Sequence, residues 1–146
     1  MKNEQKKLNN KGFSLVELIV VIAIMAILVG VLAPSVMGQI EKSRLAKDTQ
    51  SVDVVRTAVM AAVADPNEYD TFSYTLGTPF QLSDVRTNAS GNKFNEAVIA
   101  VVGNTALTFS SADYKTCTEA DVTITVNSDL TVSVTLSNGT DSITLP

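Results

Sequence analysis

The sequence predicts an α+β fold in which one long amino-terminal helix packs on a carboxy-terminal antiparallel β-sheet. Three observations indicate this fold. An apolar run extends from Phe13 to Ala33, an amphipathic pattern continues to Ala64, and aliphatic residues alternate with hydroxyl residues from Val122 onward. Apolar residues at three- and four-residue spacing indicate a helix, whereas alternation indicates half-buried strands. A chain of 146 residues has room for one domain and one appended element.

The apolar run from Phe13 to Ala33 is long enough to cross a bilayer, because about 21 residues form about 32 Å of helix. The residues before it carry four lysines against one acidic residue, Glu4. By the positive-inside rule, residues 1–12 stay in the cytoplasm and the remainder lies outside. A cleaved secretory signal is the alternative. The run is longer than usual for such a signal, however, and Pro34 hinders cleavage after Ala33.

The rest of the predicted helix is amphipathic, and Asp65-Pro66 ends it. The residues of its predicted core face are Leu45, Val52, Val55, Val59 and Ala62. Residues 65–95 are rich in Pro, Gly, Asn, Ser and Thr, which predicts a surface loop. The apolar stretch Phe94–Val102 is too short to be classified by its periodicity, so both strand and helix remain open, and we favour a strand.

Alternation predicts a β-meander at the carboxyl end, with one aliphatic face on the helix and one Thr/Ser face turned away from it. Its aliphatic residues are Val122, Ile124, Val126, Leu130, Val132, Val134, Leu136, Ile143 and Leu145. Residues 127–129 and 138–141 are rich in Asn, Asp, Ser and Gly, and they predict the two turns between the strands.

Composition argues against several classes of function. The chain has no histidine and one cysteine, Cys117, so it lacks the commonest general base and metal ligand and cannot form an intrachain disulfide. We therefore predict no enzymatic activity, no cofactor and no metal site. The net charge of −4 becomes about −7 after residue 12, which argues against direct nucleic-acid binding.

Four acidic residues could contribute oxygen ligands to calcium: Asp113, Glu119, Asp121 and Asp129. Their spacing fits no EF-hand. We therefore interpret them as a solvated acidic rim.

Glu17 is a carboxylate inside the apolar run. Such a charge costs up to a few kcal/mol near a hydrocarbon core, so it predicts a functional role and a partner. The surrounding segment, Lys11-Gly12-Phe13-Ser14-Leu15-Val16-Glu17-Leu18, resembles the class III signal sequence of type IV pilins and pseudopilins, and the likeness continues to Pro34. The resemblance covers about the first 35 residues, and the remainder fits that family in general architecture.

The resemblance implies a division into a leader peptide (1–12), a transmembrane and filament-core helix (13–38) and a soluble globular domain (39–146). It implies cleavage between Gly12 and Phe13 by a prepilin peptidase, followed by N-methylation of Phe13. It also implies that Glu17 sets the registry of assembly by pairing with the Phe13 amine of a neighbouring subunit. Further implied partners are other pilin subunits and the pilus assembly platform in the cytoplasmic membrane.

Gly30 and Pro34 predict a weak point in the helix, because proline removes one backbone donor and crowds the carbonyl of Gly30. A static kink and partial unwinding in a filament are equally compatible with these residues.

The leading functional hypothesis is a structural subunit of a type IV pilus. Such a subunit is a single-pass membrane protein before assembly and lies on the cell surface afterwards, where the fibre serves adhesion, surface motility or aggregation. One alternative is a major pseudopilin of a type II secretion or DNA-uptake machine. Another is a membrane-anchored binding module or tip adhesin that does not polymerise. A single cysteine departs from the disulfide of many Gram-negative pilins and favours a Gram-positive source or a pseudopilin.

Overall fold

The computed structural model describes residues 13–146, and the predicted leader peptide (1–12) lies outside the described residues. The helices are α1 (Leu15–Ala64), α2 (Pro66–Tyr69), α3 (Leu82–Thr87) and α4 (Lys93–Val102), with a 3₁₀ turn at Glu119–Asp121. The strands are β1 (Phe80–Gln81), β2 (Val122–Val126), β3 (Val132–Ser137) and β4 (Ser142–Leu145).

The four strands form one antiparallel sheet in the order β1-β2-β3-β4. Ile124 on β2 pairs with Val134 on β3, and Leu136 on β3 pairs with Ile143 on β4. Side chains on β2 and β3 alternate between buried and half-buried positions, as the pleat of a one-sided sheet requires. The predicted α+β fold and meander are confirmed, and β1 adds a short fourth strand. The prediction for Leu130 is wrong, because this residue lies in the turn before β3, at a positive φ of 63°, and is 46% exposed.

The described chain divides into two compact units, one ending at Gln39 and the other running from Ile40 to Pro146. The described part of the first unit, residues 13–39, contains the first half of α1 and no other helix or strand, and its large apolar side chains are exposed. This helix is the only one in the described region that is long and apolar enough to cross a membrane. It is assigned as helix through Gly30 and Pro34, and the proposed weak point there stays a prediction.

The core of the second unit includes four of the five predicted α1 positions: Val52, Val55, Val59 and Ala62. The fifth prediction is wrong, because Leu45 is 39% exposed. The buried positions of α1 begin at Asp48, so Leu45 precedes the part of the helix that the rest of this unit covers. The apolar periodicity therefore identified the correct face of α1, but it did not show at which residue the rest of the unit begins to cover that face.

Two further predictions are wrong. Residues 65–95 are not an irregular loop, since they contain α2, β1 and α3. The stretch Phe94–Val102 is a helix rather than a strand, and it belongs to α4. The side chain of Asn92 accepts a hydrogen bond from the Asn95 amide at its start, and Gly103 follows its last residue at a positive φ of 98°. An N-cap and a following glycine favour a helix over a strand for a short apolar run.

We expect a fragment from Gln39 to Pro146 to fold as a soluble monomer, because the core of the second unit is formed by residues within that range. Circular dichroism and analytical ultracentrifugation would check this. Aggregation or a non-cooperative thermal transition would contradict the assignment of this core.

Candidate functional site

Glu17 and Phe13 lie together at the start of α1. The Glu17 Oε2 atom accepts a hydrogen bond of 3.0 Å from the Ser14 backbone N–H. Both residues also line one open apolar depression, together with Val16, Leu18, Val20 and Val21. The carboxylate is therefore held beside the residue at which the resemblance places the mature amino terminus.

The surroundings of Glu17 determine its chemistry. Phe13 is 87% exposed, and the apolar side chains of the following turns are at least half exposed up to Ile19. A carboxylate in the first turn is favoured by the helix dipole and by the free backbone N–H groups there. Ser14 occupies one of its oxygen atoms, and a carboxylate can accept further bonds from a cation. The arrangement can therefore receive one positively charged partner in an apolar setting.

Comparison with known protein families identifies this segment. A family model described as the prokaryotic N-terminal methylation motif matches residues 7–33. The segment is a type IV prepilin signature. The methylation motif contains Gly12, Phe13 and Glu17, and it indicates a prepilin of the pilin or pseudopilin kind. No curated protein and no solved structure matched the chain.

The methylation motif includes the proposed cleavage point between Gly12 and Phe13, of which Gly12 lies outside the described residues. Phe13 and Glu17 are brought together at the helix start, whereas Gly30 and Pro34 lie within continuous helix. The roles of these residues in cleavage, methylation, registry and kinking stay predictions.

Asp48 is a structurally important residue that sequence reasoning missed. It is fully buried, and its two carboxylate oxygens accept hydrogen bonds from the backbone N–H and hydroxyl groups of both Ser110 and Ser111. These bonds attach the segment after α4 to α1. The sequence contained a sign of this burial, because Asp48 lies four residues before Val52 on the predicted core face of α1. An acidic residue on a core face predicts a buried acceptor that needs donors.

Asp48 also gives the second unit an acid-sensitive contact. Burial raises the pKa of its carboxyl, but the hydrogen bonds from Ser111 and Ser110 outweigh that effect and hold the pKa below its usual value. A carboxyl group whose pKa is lower in the folded chain than in the unfolded chain stabilises the fold at every pH above its unfolded-state pKa. This stabilisation is lost as the pH falls through the folded-state pKa.

We therefore expect the Gln39–Pro146 fragment to lose stability as the pH falls below about 4, the ordinary pKa of an aspartate. Asp48→Asn should lower the free energy of unfolding at pH 7. The difference in this free energy between the variant and wild type should become smaller as the pH falls below about 4. Urea unfolding between pH 2 and 7 would measure it. Asp129→Asn is the matched control, because hydrogen bonds from Thr131 lower the pKa of the fully exposed Asp129 as well. An equal effect in both variants would contradict the role of Asp48.

Arg86 and Glu119 form the second polar contact that was missed. Two guanidinium nitrogens of Arg86 lie 2.6 Å from the two oxygens of Glu119, and a third donates to the Gly103 carbonyl at 2.9 Å. Glu119 also accepts from the Leu107 backbone N–H at 3.0 Å. The pair is largely buried, with side chains 22% and 8% exposed. It links α3 to the chain segment that follows α4.

The interpretation of four acidic residues as a solvated rim is therefore wrong for Glu119, which is buried and ion-paired. Asp121 accepts from the Thr118 backbone N–H and hydroxyl and caps the 3₁₀ turn, while Asp129 accepts from Thr131 within the β2–β3 turn. Asp113 is exposed. Within residues 13–146 no group of His, Cys, Asp or Glu side chains is arranged to hold a metal ion.

Proposed function

We propose that the chain is the structural subunit of a type IV pilus, which polymerises into an extracellular fibre after its leader peptide is removed. The observation that carries this proposal is the methylation motif at residues 7–33, which continues into an exposed apolar helix. A helix that is apolar all round is stable only in a bilayer or against other helices. One such segment can therefore serve first as a membrane anchor and then as a part of the fibre core.

Cleavage between Gly12 and Phe13 would change the charge at the start of α1. Before cleavage, the Phe13 nitrogen is an uncharged amide, and the lysine-rich leader keeps this end in the cytoplasm. After cleavage, the nitrogen is an amine, and a single methyl group leaves it cationic. Processing thus creates a positive partner for Glu17 at the Phe13 nitrogen, and assembly follows processing.

In the fibre, the Phe13 amine of one subunit would meet the Glu17 carboxylate of a neighbour. Either charge alone is expensive in a dry core, whereas the pair forms a hydrogen-bonded ion pair. Because an offset of one helical turn would leave both charges unpaired, the contact also fixes how far neighbouring helices are displaced. Glu17 would therefore act as a registry residue.

We expect fibre subunits to begin with N-methylated Phe13, because the resemblance to class III signal sequences implies cleavage between Gly12 and Phe13. Mass spectrometry of sheared fibres would check this. Gly12→Val should leave uncleaved precursor in the membrane, since a branched side chain obstructs the peptidase. Subunits that retain Met1, or that are cleaved after Ala33, would contradict the proposal.

A further inference from the structure

The first turns of α1 in the second unit carry an exposed surface, which we call the collar. It consists of Ile40, Lys42, Arg44, Leu45 and Lys47. Ile40 and Leu45 are 46% and 39% exposed, and the three cationic side chains are exposed as well. Glu41 lies 3.7 Å from Arg44 in a loose ion pair and also accepts from the Ala112 backbone N–H, and the exposed Asp113 follows Ala112. The collar therefore combines apolar surface with a net positive charge.

A surface of opposite charge follows the other end of α1, and we call it the acidic end. It consists of Asp65, Glu68, Asp70 and Glu96. A depression lies between α2 and α4. Its lining includes Asp65, Glu68 and Glu96, together with Asn67 and the small side chains of Ala97 and Ala100. Lys93 is the one cation among its lining residues. The acidic end therefore offers carboxylates around a shallow hollow that could receive an aliphatic side chain.

We propose that the collar of one copy docks on the acidic end of a second copy. This inference rests on the proposed fibre, in which all subunits enter the membrane in one direction and their helices run parallel. Leu45 and Ala64 are 19 residues apart on α1, a rise of about 30 Å at 1.5 Å per residue. The Phe13–Glu17 pair spans four residues and so joins copies displaced by about 6 Å. The docking pair is a different one in the same fibre, displaced by about 30 Å, at which the two surfaces lie at the same height. Such a contact uses two different patches and continues from copy to copy without closing.

A second copy explains both surfaces with one contact. Anionic lipid headgroups would also attract the collar, but they would leave the acidic end without a counterpart. Charge complementarity between two patches guides association and penalises wrong registers, because like charges would then face each other. The exposed Ile40 lies on the same face of α1 as Arg44 and Lys47, at i, i+4 and i+7, and supplies apolar area beside these two charges.

Charge reversal in the full-length chain tests the contact. Lys47→Glu and Glu68→Lys should each lower the yield of sheared fibres by about tenfold or more, because a like-charge pair would recur along the polymer. The double variant should recover most of the yield, since it restores an opposite pair. Neither side chain makes a hydrogen bond or ion pair within residues 13–146. Asp53→Lys is the matched control for Glu68→Lys, because it replaces a carboxylate by an ammonium group at an exposed position of α1 outside both surfaces. It should keep normal yield.

Cross-linking of unmodified fibres tests the contact without substitution. A carbodiimide joins amines directly to carboxylates, so peptides joining Lys42 or Lys47 to Glu68, Asp70 or Glu96 are expected from fibres. They should be absent from unassembled membrane protein. Cross-links between the collar and other carboxylates, without any to the acidic end, would overturn the proposal.

The outcomes separate this inference from the proposed fibre. If the wild-type chain forms fibres while both single reversals keep normal yield, the docking proposal fails and the fibre stands. If Lys47→Glu loses fibres and Glu68→Lys does not rescue it, the collar acts elsewhere, for example at lipid headgroups, and the proposal also fails. If the processed wild-type chain forms no fibres, the proposed function itself fails.

Discussion

Glu17→Ala is expected to abolish the fibre while leaving membrane insertion and cleavage intact. In the proposed fibre, removing the carboxylate would leave the Phe13 amine of the neighbour unpaired in an apolar core, which costs on the order of 3–5 kcal/mol per contact. This cost recurs at every subunit of the polymer. Insertion should not suffer, because the substitution removes a charge from the apolar segment. The mature protein would be measured by mass in membranes, and the fibres by shearing.

Val16→Ala is the control for this experiment, because it truncates a neighbouring apolar side chain and leaves the carboxylate in place. It should retain fibres. A normal yield from Glu17→Ala would refute the pairing, whereas accumulation of uncleaved precursor would make Glu17 part of the peptidase signal. Co-expression separates the two results. Processed Glu17→Ala subunits should enter wild-type fibres in part, but an uncleaved subunit should stay in the membrane.

Glu119→Ala is expected to destabilise the second unit by about 3–5 kcal/mol, the usual loss when one member of a buried ion pair is removed. The substitution leaves the Arg86 guanidinium largely buried without its carboxylate, and it leaves the Leu107 N–H without an acceptor. Since domains of this size have stabilities of about 5–15 kcal/mol, the loss is a large fraction of the total. Urea unfolding of the Gln39–Pro146 fragment would measure it.

Two companion variants sharpen this measurement. Glu68→Ala changes a residue whose side chain makes no hydrogen bond or ion pair within the described residues, so its effect should stay within about 0.5 kcal/mol. Glu119→Gln keeps an acceptor oxygen for Arg86 or Leu107 but loses the charge, and it should fall between wild type and Glu119→Ala. If Glu119→Ala unfolds at the same urea concentration as Glu68→Ala, the ion pair does not stabilise the fold.

The parts of the fold that the sequence predicted are those with a regular apolar pattern. The helix α1 continues its pattern over 50 residues, and β2 and β3 alternate strictly between buried and half-buried positions, which fixes their type and their buried face. The apolar run of α4 was too short for that, and its signals lay in the flanking Asn92 and Gly103. The elements α2, β1 and α3 have two to six residues each, so tertiary contacts outweigh their local pattern.

The functional residues also differ in how visible they were in the sequence. Glu17 was identifiable because a charge in an apolar run is conspicuous, and the short motif around it is specific. Asp48 and Arg86 were not, because their partners lie 62 and 33 residues away in the chain. Contacts of this range depend on how the chain folds back on α1, and spacing alone does not encode them. The position of Asp48 on the predicted core face of α1 was the one local sign of such a contact.

The single thiol can report on opening of the second unit without any engineered label. Cys117 is 8% exposed, and its thiol lies 3.8 Å from the Ser137 carbonyl on β3. Burial raises its pKa, and the charges of Asp121 and Asp48 add to that effect, so little reactive thiolate is present. A thiol-specific dye should therefore react only when this region opens. The labelling rate of intact fibres, compared with that of free subunits, would show whether assembly suppresses local unfolding of the sheet.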